Sequence, residues 1–254
     1  MSEPEIEIFP DADALAAAVA EALVERVIVA QRERGVAQIV LTGGGIGTAT
    51  LAAIPGAPRQ EEVDWAAVEV WWGDERFVPP GDPERNDTGA REGFLDRLPF
   101  DPARVHPMPD SEGAADPEAG ARAYAAELAL AAGPEGVVPA FDVLMLGVGP
   151  EGHVASLFPD LPGVHEAAPV VAVLGSPKPP PTRISLTFPS IRSAREVWLI
   201  ASGEGKAAAM AAAADPATSA AEVPAAGARG QERTVFWLDE PAASGLGPER
   251  GAPA

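Results

Sequence analysis

Four short apolar runs, each ending in a glycine-rich or charged turn, constrain this chain more than any other feature. QIVL precedes TGGGIG at 42–47, VEVWW precedes GDER at 73–76, DVLMLG precedes VGPEGH at 148–153, and VWLIA precedes SGEGK at 202–206. A strand covered on one face alternates apolar with polar residues, whereas one covered on both faces reads as an unbroken apolar run. Helical patterns lie between the runs. Leu15, Val19, Leu23 and Val27 recur every four residues, with Asp11 placed to cap the start and Gly35 to end the helix. TATLAAI at 48–54 and the stretch from about Asp87 to Arg97 also read as helical, and Asp116-Pro117-Glu118 opens a helix that stops at Gly133 and Pro134. Further strands are expected at 169–174, 183–186 and 234–238. The alternation predicts an α/β fold of Rossmann-like kind, a mainly parallel sheet with helices on both faces.

No repeat or linker divides the sequence. Residues 1–240 are expected to form one α/β domain and 241–254, rich in Ala, Gly and Pro, a disordered tail. The PKPPPT stretch at 177–182 reads as a rigid loop, and GDERFVPPGDPERND as a long one. The absence of cysteine excludes disulfides, a thiolate metal site and a cysteine nucleophile. The start carries neither a basic segment nor an apolar stretch of leader type, and no later run reaches the roughly 18 apolar residues of a membrane span. A cytoplasmic location is the expectation. With 38 Asp plus Glu against 18 Lys plus Arg, the formal net charge is -20, a field that repels nucleic acid and anionic membrane. A small anionic substrate would then need a local cluster of cations and backbone N–H groups.

In a parallel sheet, ligands bind outside the carboxyl ends of the strands, where all four turns fall. Gly43, Gly44, Gly45 and Gly47 let the backbone turn tightly and aim N–H groups at an anion beside a helix N-terminus, although the same glycines would serve a ligand-free βα turn. The spacing is neither a Walker loop nor a dinucleotide fingerprint. Asp74, Glu75 and Arg76 follow a strand directly and converge on the crevice, or form a loop salt bridge. Arg183 opens another apolar strand and Lys206 a helix. Alone each is a surface cation; together with the glycine turn they could grip a phosphate. His153, just after two glycines and a strand, is exposed at the crevice with an ordinary pKa of about 6.5, suited to accept a proton from water. The residues alone leave open a turn histidine with no catalytic part. His106 and His165 lie in Pro-rich or acidic loops without such framing.

LTGGGIGTATL, WWGDERFVPPGDPERND, DVLMLGVGPEGHVASLFP, TRISLTFPSI and ASGEGK, in this order over residues 39–206, together resemble the 6-phosphogluconolactonase family, nearest its actinobacterial branch. The resemblance implies the sugar-phosphate isomerase/deaminase-like fold, a sugar-phosphate lactone as substrate, no cofactor or metal, and a monomer or small homo-oligomer. It also implies that Thr42, Gly43, Gly44, Gly45, Arg76, Arg183 and Lys206 hold the phosphate, that His153 is the base, and that Asp74 orients a substrate hydroxyl or water. The chain departs from the family pattern where Thr42 replaces a serine, where Ile46-Gly47 replaces Thr-Pro, and where Glu151 stands in place of Asp, leaving a part for Glu151 beside His153 undefined. Two alternatives remain. Glucosamine-6-phosphate deaminases share the fold but carry a glutamate where this chain has Phe158, which cannot transfer a proton. A sugar-phosphate sensor attached to a regulator would need a DNA-binding module, for which there is no room before the first strand.

Overall fold

The computed structural model describes residues 3–134 and 136–247. The first half runs β1 (Glu5–Phe9), α1 (Ala12–Arg34), β2 (Ala37–Leu41), α2 (Gly44–Ala53), β3 (Val68–Trp72), β4 (Asp74–Arg76), α3 (Asn86–Gly93) and α4 (Pro117–Ala132). The second runs β5 (Val143–Gly147), β6 (Val170–Val173), β7 (Arg183–Leu186), α5 (Phe188–Ile191), β8 (Glu196–Ala201), α6 (Ala207–Ala214), α7 (Pro224–Gly227), β9 (Arg233–Asp239) and α8 (Glu240–Ala243).

Six strands form one sheet in the order β1-β9-β8-β5-β2-β3, and every neighbouring pair is parallel. The apolar runs supply its interior: β8 is buried throughout, and β5 along all but its last residue. The helix α1 forms as its pattern requires. The Asp11 carboxylate accepts from the Ala14 N–H at 2.9 Å, Gly35 ends the helix at φ 77°, and Leu15, Val19, Leu23 and Val27 all lie in the core.

Three features differ from the sequence expectation. EIEIF pairs along the edge as β1, an alternating pattern too short to stand out from an acidic N-terminal stretch. The GDER segment is not simply loop: β4 pairs antiparallel with β7, which pairs antiparallel with β6, so a second, three-stranded sheet leans on the first. The stretch expected to open a disordered tail at 241 packs on the fold up to Leu246: the carboxylate of Asp239 caps α8 at the Ala242 N–H (2.8 Å), Ala242 and Ala243 are buried, and Leu246 packs on the core. Residues 248–254 of that tail lie outside the described residues. No helix among the described residues is long and apolar enough to cross a membrane.

Candidate active site

A cavity of about 590 Å³ opens where the carboxyl ends of β2, β5 and β8 meet the small sheet. Its walls include Thr42, Gly43, Gly44, Gly45, Asp74, Arg76, His153, Arg183 and Lys206, so nine of the ten site residues named from the family resemblance come together there, without Gly47 and Glu75. The tenth, Glu151, touches two of the lining side chains, His153 and Lys178.

The glycine turn owes its sequence to crowding. Gly43 passes so close to the Asn86 side chain that a methyl group would collide with its Oδ1, and Gly44 sits at φ 79°, which favours glycine. The helix α2 already starts at Gly44, so N–H groups of its first turn, which lack intrahelical acceptors, border the cavity. The Thr42 hydroxyl is engaged, accepting from the Gly147 N–H at 3.0 Å and tying β2 to β5.

The small sheet sets the charges. Successive residues of a strand point to opposite faces, so Asp74 and Arg76 border the cavity while Glu75 turns away. There Glu75 accepts from the backbone N–H groups of Arg76, Asn86 and Asp87 at 2.8–2.9 Å and lies 3.5 Å from Arg85. Burial pushes its carboxyl above the usual range despite these contacts. In the ladder Asp74 stands opposite Ser185, and Arg76 opposite Arg183. Two arginines facing each other across a ladder repel, a cost that an anion beside them would remove. Asp74 offsets it in part, its Oδ2 lying 3.8 Å from Arg183. The Asn86 Oδ1 accepts from Arg76, whose buried Nε has no hydrogen-bond partner.

Of the arginines, Arg183 is the more committed. Its Nε donates to the Pro180 carbonyl at 3.1 Å, and one terminal nitrogen donates to the carbonyls of Lys178 and Pro179 at 3.0 and 3.2 Å. It therefore fastens the PKPPPT loop as well as lining the cavity. Lys206 is half-buried, and burial followed by repulsion from Lys178 lowers its pKa. Its approach is set by Asp239, which accepts from the Ser202 hydroxyl at 2.5 Å and the Gly203 N–H at 2.9 Å.

His153 closes a turn in which the Gly149 N–H donates to its carbonyl at 2.9 Å. A methyl group on Gly149 would strike the imidazole and the Glu151 carboxylate, which explains that glycine. The ring stacks on buried Phe158, centroids 4.3 Å apart. Glu151 Oε1 lies 3.1 Å from the buried Nδ1 but off the line of a hydrogen bond. Burial lowers the histidine pKa to about 4, outweighing the nearby Glu151 carboxylate, so the expected value near 6.5 does not hold.

Sequence reasoning missed the supports. The Ser156 hydroxyl donates to Asp74 Oδ2 at 2.6 Å, its N–H donates to the Ser185 hydroxyl at 3.1 Å, and Asn86 donates to both the carbonyl (2.9 Å) and the carboxylate (3.2 Å) of Asp74. Asn86 lay in a segment that signals only turns; the one hint was its place directly before a helix. Among the described residues no group of three or more His, Asp or Glu side chains is placed to share a metal ion.

Fold and site define an α/β protein of the kind that meets small anions with glycine turns at strand ends. A family model described as glucosamine-6-phosphate isomerases/6-phosphogluconolactonase matches residues 10–237. The chain is 54% identical over 248 residues to a 6-phosphogluconolactonase of Streptomyces coelicolor, covering 96% of this chain and 95% of that one. It is 49% identical over 247 residues to a 6-phosphogluconolactonase of Mycobacterium tuberculosis, covering 95% and 98%. The solved structure of 6-phosphogluconolactonase from Trypanosoma brucei matches with a TM-score of 0.81 at 28% identity, covering 97% of this chain and 100% of that one. The chain belongs to the glucosamine-6-phosphate isomerase/6-phosphogluconolactonase family, on the actinobacterial branch of its lactonases.

Proposed function

We propose that this enzyme hydrolyses 6-phosphoglucono-1,5-lactone to 6-phosphogluconate, the second step of the oxidative pentose phosphate pathway, with His153 activating the attacking water. One observation carries the reading: a single cavity joins a histidine that is uncharged at neutral pH to an arginine pair opposed across a ladder. The N–H groups at the start of α2 with Arg76, Arg183 and Lys206 hold the phosphate, and Thr42, Gly43, Gly44 and Gly45 shape that cradle. This grip is remote from the reacting carbon and orients the ring against the base.

A lactone is an activated ester, so no covalent nucleophile is needed. The buried Nδ1 edge faces Glu151, which leaves Nε2 to take the proton of water as its oxygen attacks the carbonyl carbon. The carbonyl oxygen gains charge, the bond to the ring oxygen breaks, and the imidazolium returns its proton to that leaving oxygen. Asp74, held by Ser156 and Asn86, orients a substrate hydroxyl or the water. Action without metal or cofactor, a cytoplasmic location and a monomer or small homo-oligomer go with this reading. Phe158 argues against the deaminase alternative, because an apolar ring packs on His153 at the position where that chemistry needs a carboxylic acid.

The test is the initial rate on freshly generated lactone, above its spontaneous hydrolysis, with glucosamine 6-phosphate assayed in parallel. Lactone turnover without release of ammonia is expected. Release of ammonia from the amino sugar with no acceleration of lactone hydrolysis would overturn the reading.

A further inference from the structure

Lys178 reaches the same cavity from the loop between β6 and β7. Its Nζ lies 3.0 Å from Glu151 Oε2, while the other oxygen of that carboxylate is the one beside His153 Nδ1. One carboxylate is thus shared between an ammonium and an imidazole. We infer that Lys178 is a positioning residue that restrains Glu151 and so keeps His153 an uncharged base.

The lysine's own placement is fixed. Arg183 holds the carbonyls of residues 178, 179 and 180, and the Ser176 hydroxyl donates to the Lys178 carbonyl at 3.1 Å and accepts from its N–H at 3.3 Å. An ion pair as exposed as this one adds little to stability, so its effect is on the imidazole. A carboxylate free to align with Nδ1–H would form a charge-assisted hydrogen bond and draw a proton onto the ring. The charged groups acting on His153 are Glu151 from its own turn, Lys178 from the β6–β7 loop and Asp74 from β4; Phe158 adds an apolar face. Of these, the lysine opposes protonation twice, by direct repulsion and by engaging Glu151. The glutamate side chain has the reach to touch both groups, Oε1 at His153 and Oε2 at Lys178.

The inference rests on His153 being the base, but its test does not need turnover. The imidazole of His153 is titrated by NMR in the whole protein, alongside the pH profile of kcat/KM for the lactone. Lys178→Met should raise the His153 midpoint by about one pH unit and carry the acid limb of the profile with it. Lys178→Arg, which keeps the charge, should leave both near the parent. With Glu151→Gln as background, Lys178→Met should move the midpoint less than half as far. An unmoved midpoint in Lys178→Met, an Arg variant shifted like the Met one, or an equal shift with Glu151→Gln would each overturn the clamp. A shifted midpoint in a protein that does not hydrolyse the lactone would overturn the functional reading and leave the clamp standing.

Discussion

His106 and His153 are the same side chain in similar packing, yet they are driven to opposite states. Each lies flat on a buried aromatic ring, His106 on Trp71 with centroids 3.8 Å apart and His153 on Phe158 at 4.3 Å. Each has a carboxylate at its edge. His106 differs in having two, with Nδ1 2.7 Å from Glu127 and Nε2 2.8 Å from Glu69, both in hydrogen-bonding geometry. Burial there works to lower the pKa, but the bonds to Glu127 and Glu69 outweigh it and raise the value above normal. At His153 the single carboxylate is misaligned and shared with Lys178, and burial wins. Alignment and number of carboxylates, more than burial alone, decide whether a covered histidine is drawn to its charged or its uncharged form.

The largest effect is expected from His153→Asn, which removes the proposed base while keeping a polar group of similar reach. The chemical step should slow by roughly 10²–10⁴ with product affinity near the parent value, as single-turnover rates and calorimetry would show. The same substitution at His106 should leave turnover alone and lower stability by about 1–2 kcal/mol, measured by denaturant unfolding at pH 6. If His106→Asn cost activity and His153→Asn cost only stability, the two histidines would have been assigned the wrong way round.

The pH dependence sharpens the contrast. The raised pKa of His106 gives stability that is full below about 6.5, the unfolded value, and is lost as pH rises through the folded one. The lowered pKa of His153 penalises the folded state as pH falls from about 6.5 towards 4. Relative to the parent, His106→Asn should therefore become less stabilised, and His153→Asn more stabilised, between pH 8 and pH 5. Unfolding curves with slopes of the same sign would break the distinction. The acid limb of kcat/KM should likewise lie well below 6.5. The smallest effect is expected from Glu127→Gln, at about 0.5 kcal/mol, because that carboxylate is nearly half exposed.

What could be read from the sequence was local. The unbroken runs gave the central strands, the glycines gave the turns, and VGPEGH placed His153 at the strand-end crevice, where it borders the cavity. His106 was set aside for its Pro-rich surroundings, since its partners lie 37 and 21 residues away in sequence and only the fold brings them to its ring. The facing of Arg76 and Arg183 was hidden for the same reason: both read as cations, but the β4–β7 register that opposes them joins residues 107 positions apart in sequence. The pKa of His153 was misjudged because burial is a tertiary property, and the Phe158 that covers the ring was valued only for lacking a carboxylate.

The opposed arginines also bear on how the protein responds to its surroundings. Like charges held face to face raise the free energy of the folded chain, and an anion between them lowers it again, so binding and folding become linked quantities. A ligand that binds only the folded form at a hundred times its Kd stabilises that form by about 2.7 kcal/mol. The melting temperature should therefore climb with 6-phosphogluconate, and more weakly with inorganic phosphate. Because the pair stands on the small antiparallel sheet and not on the parallel one, the gain should appear first as slower amide exchange in residues 74–76 and 183–186, making local rigidity a reporter of occupancy.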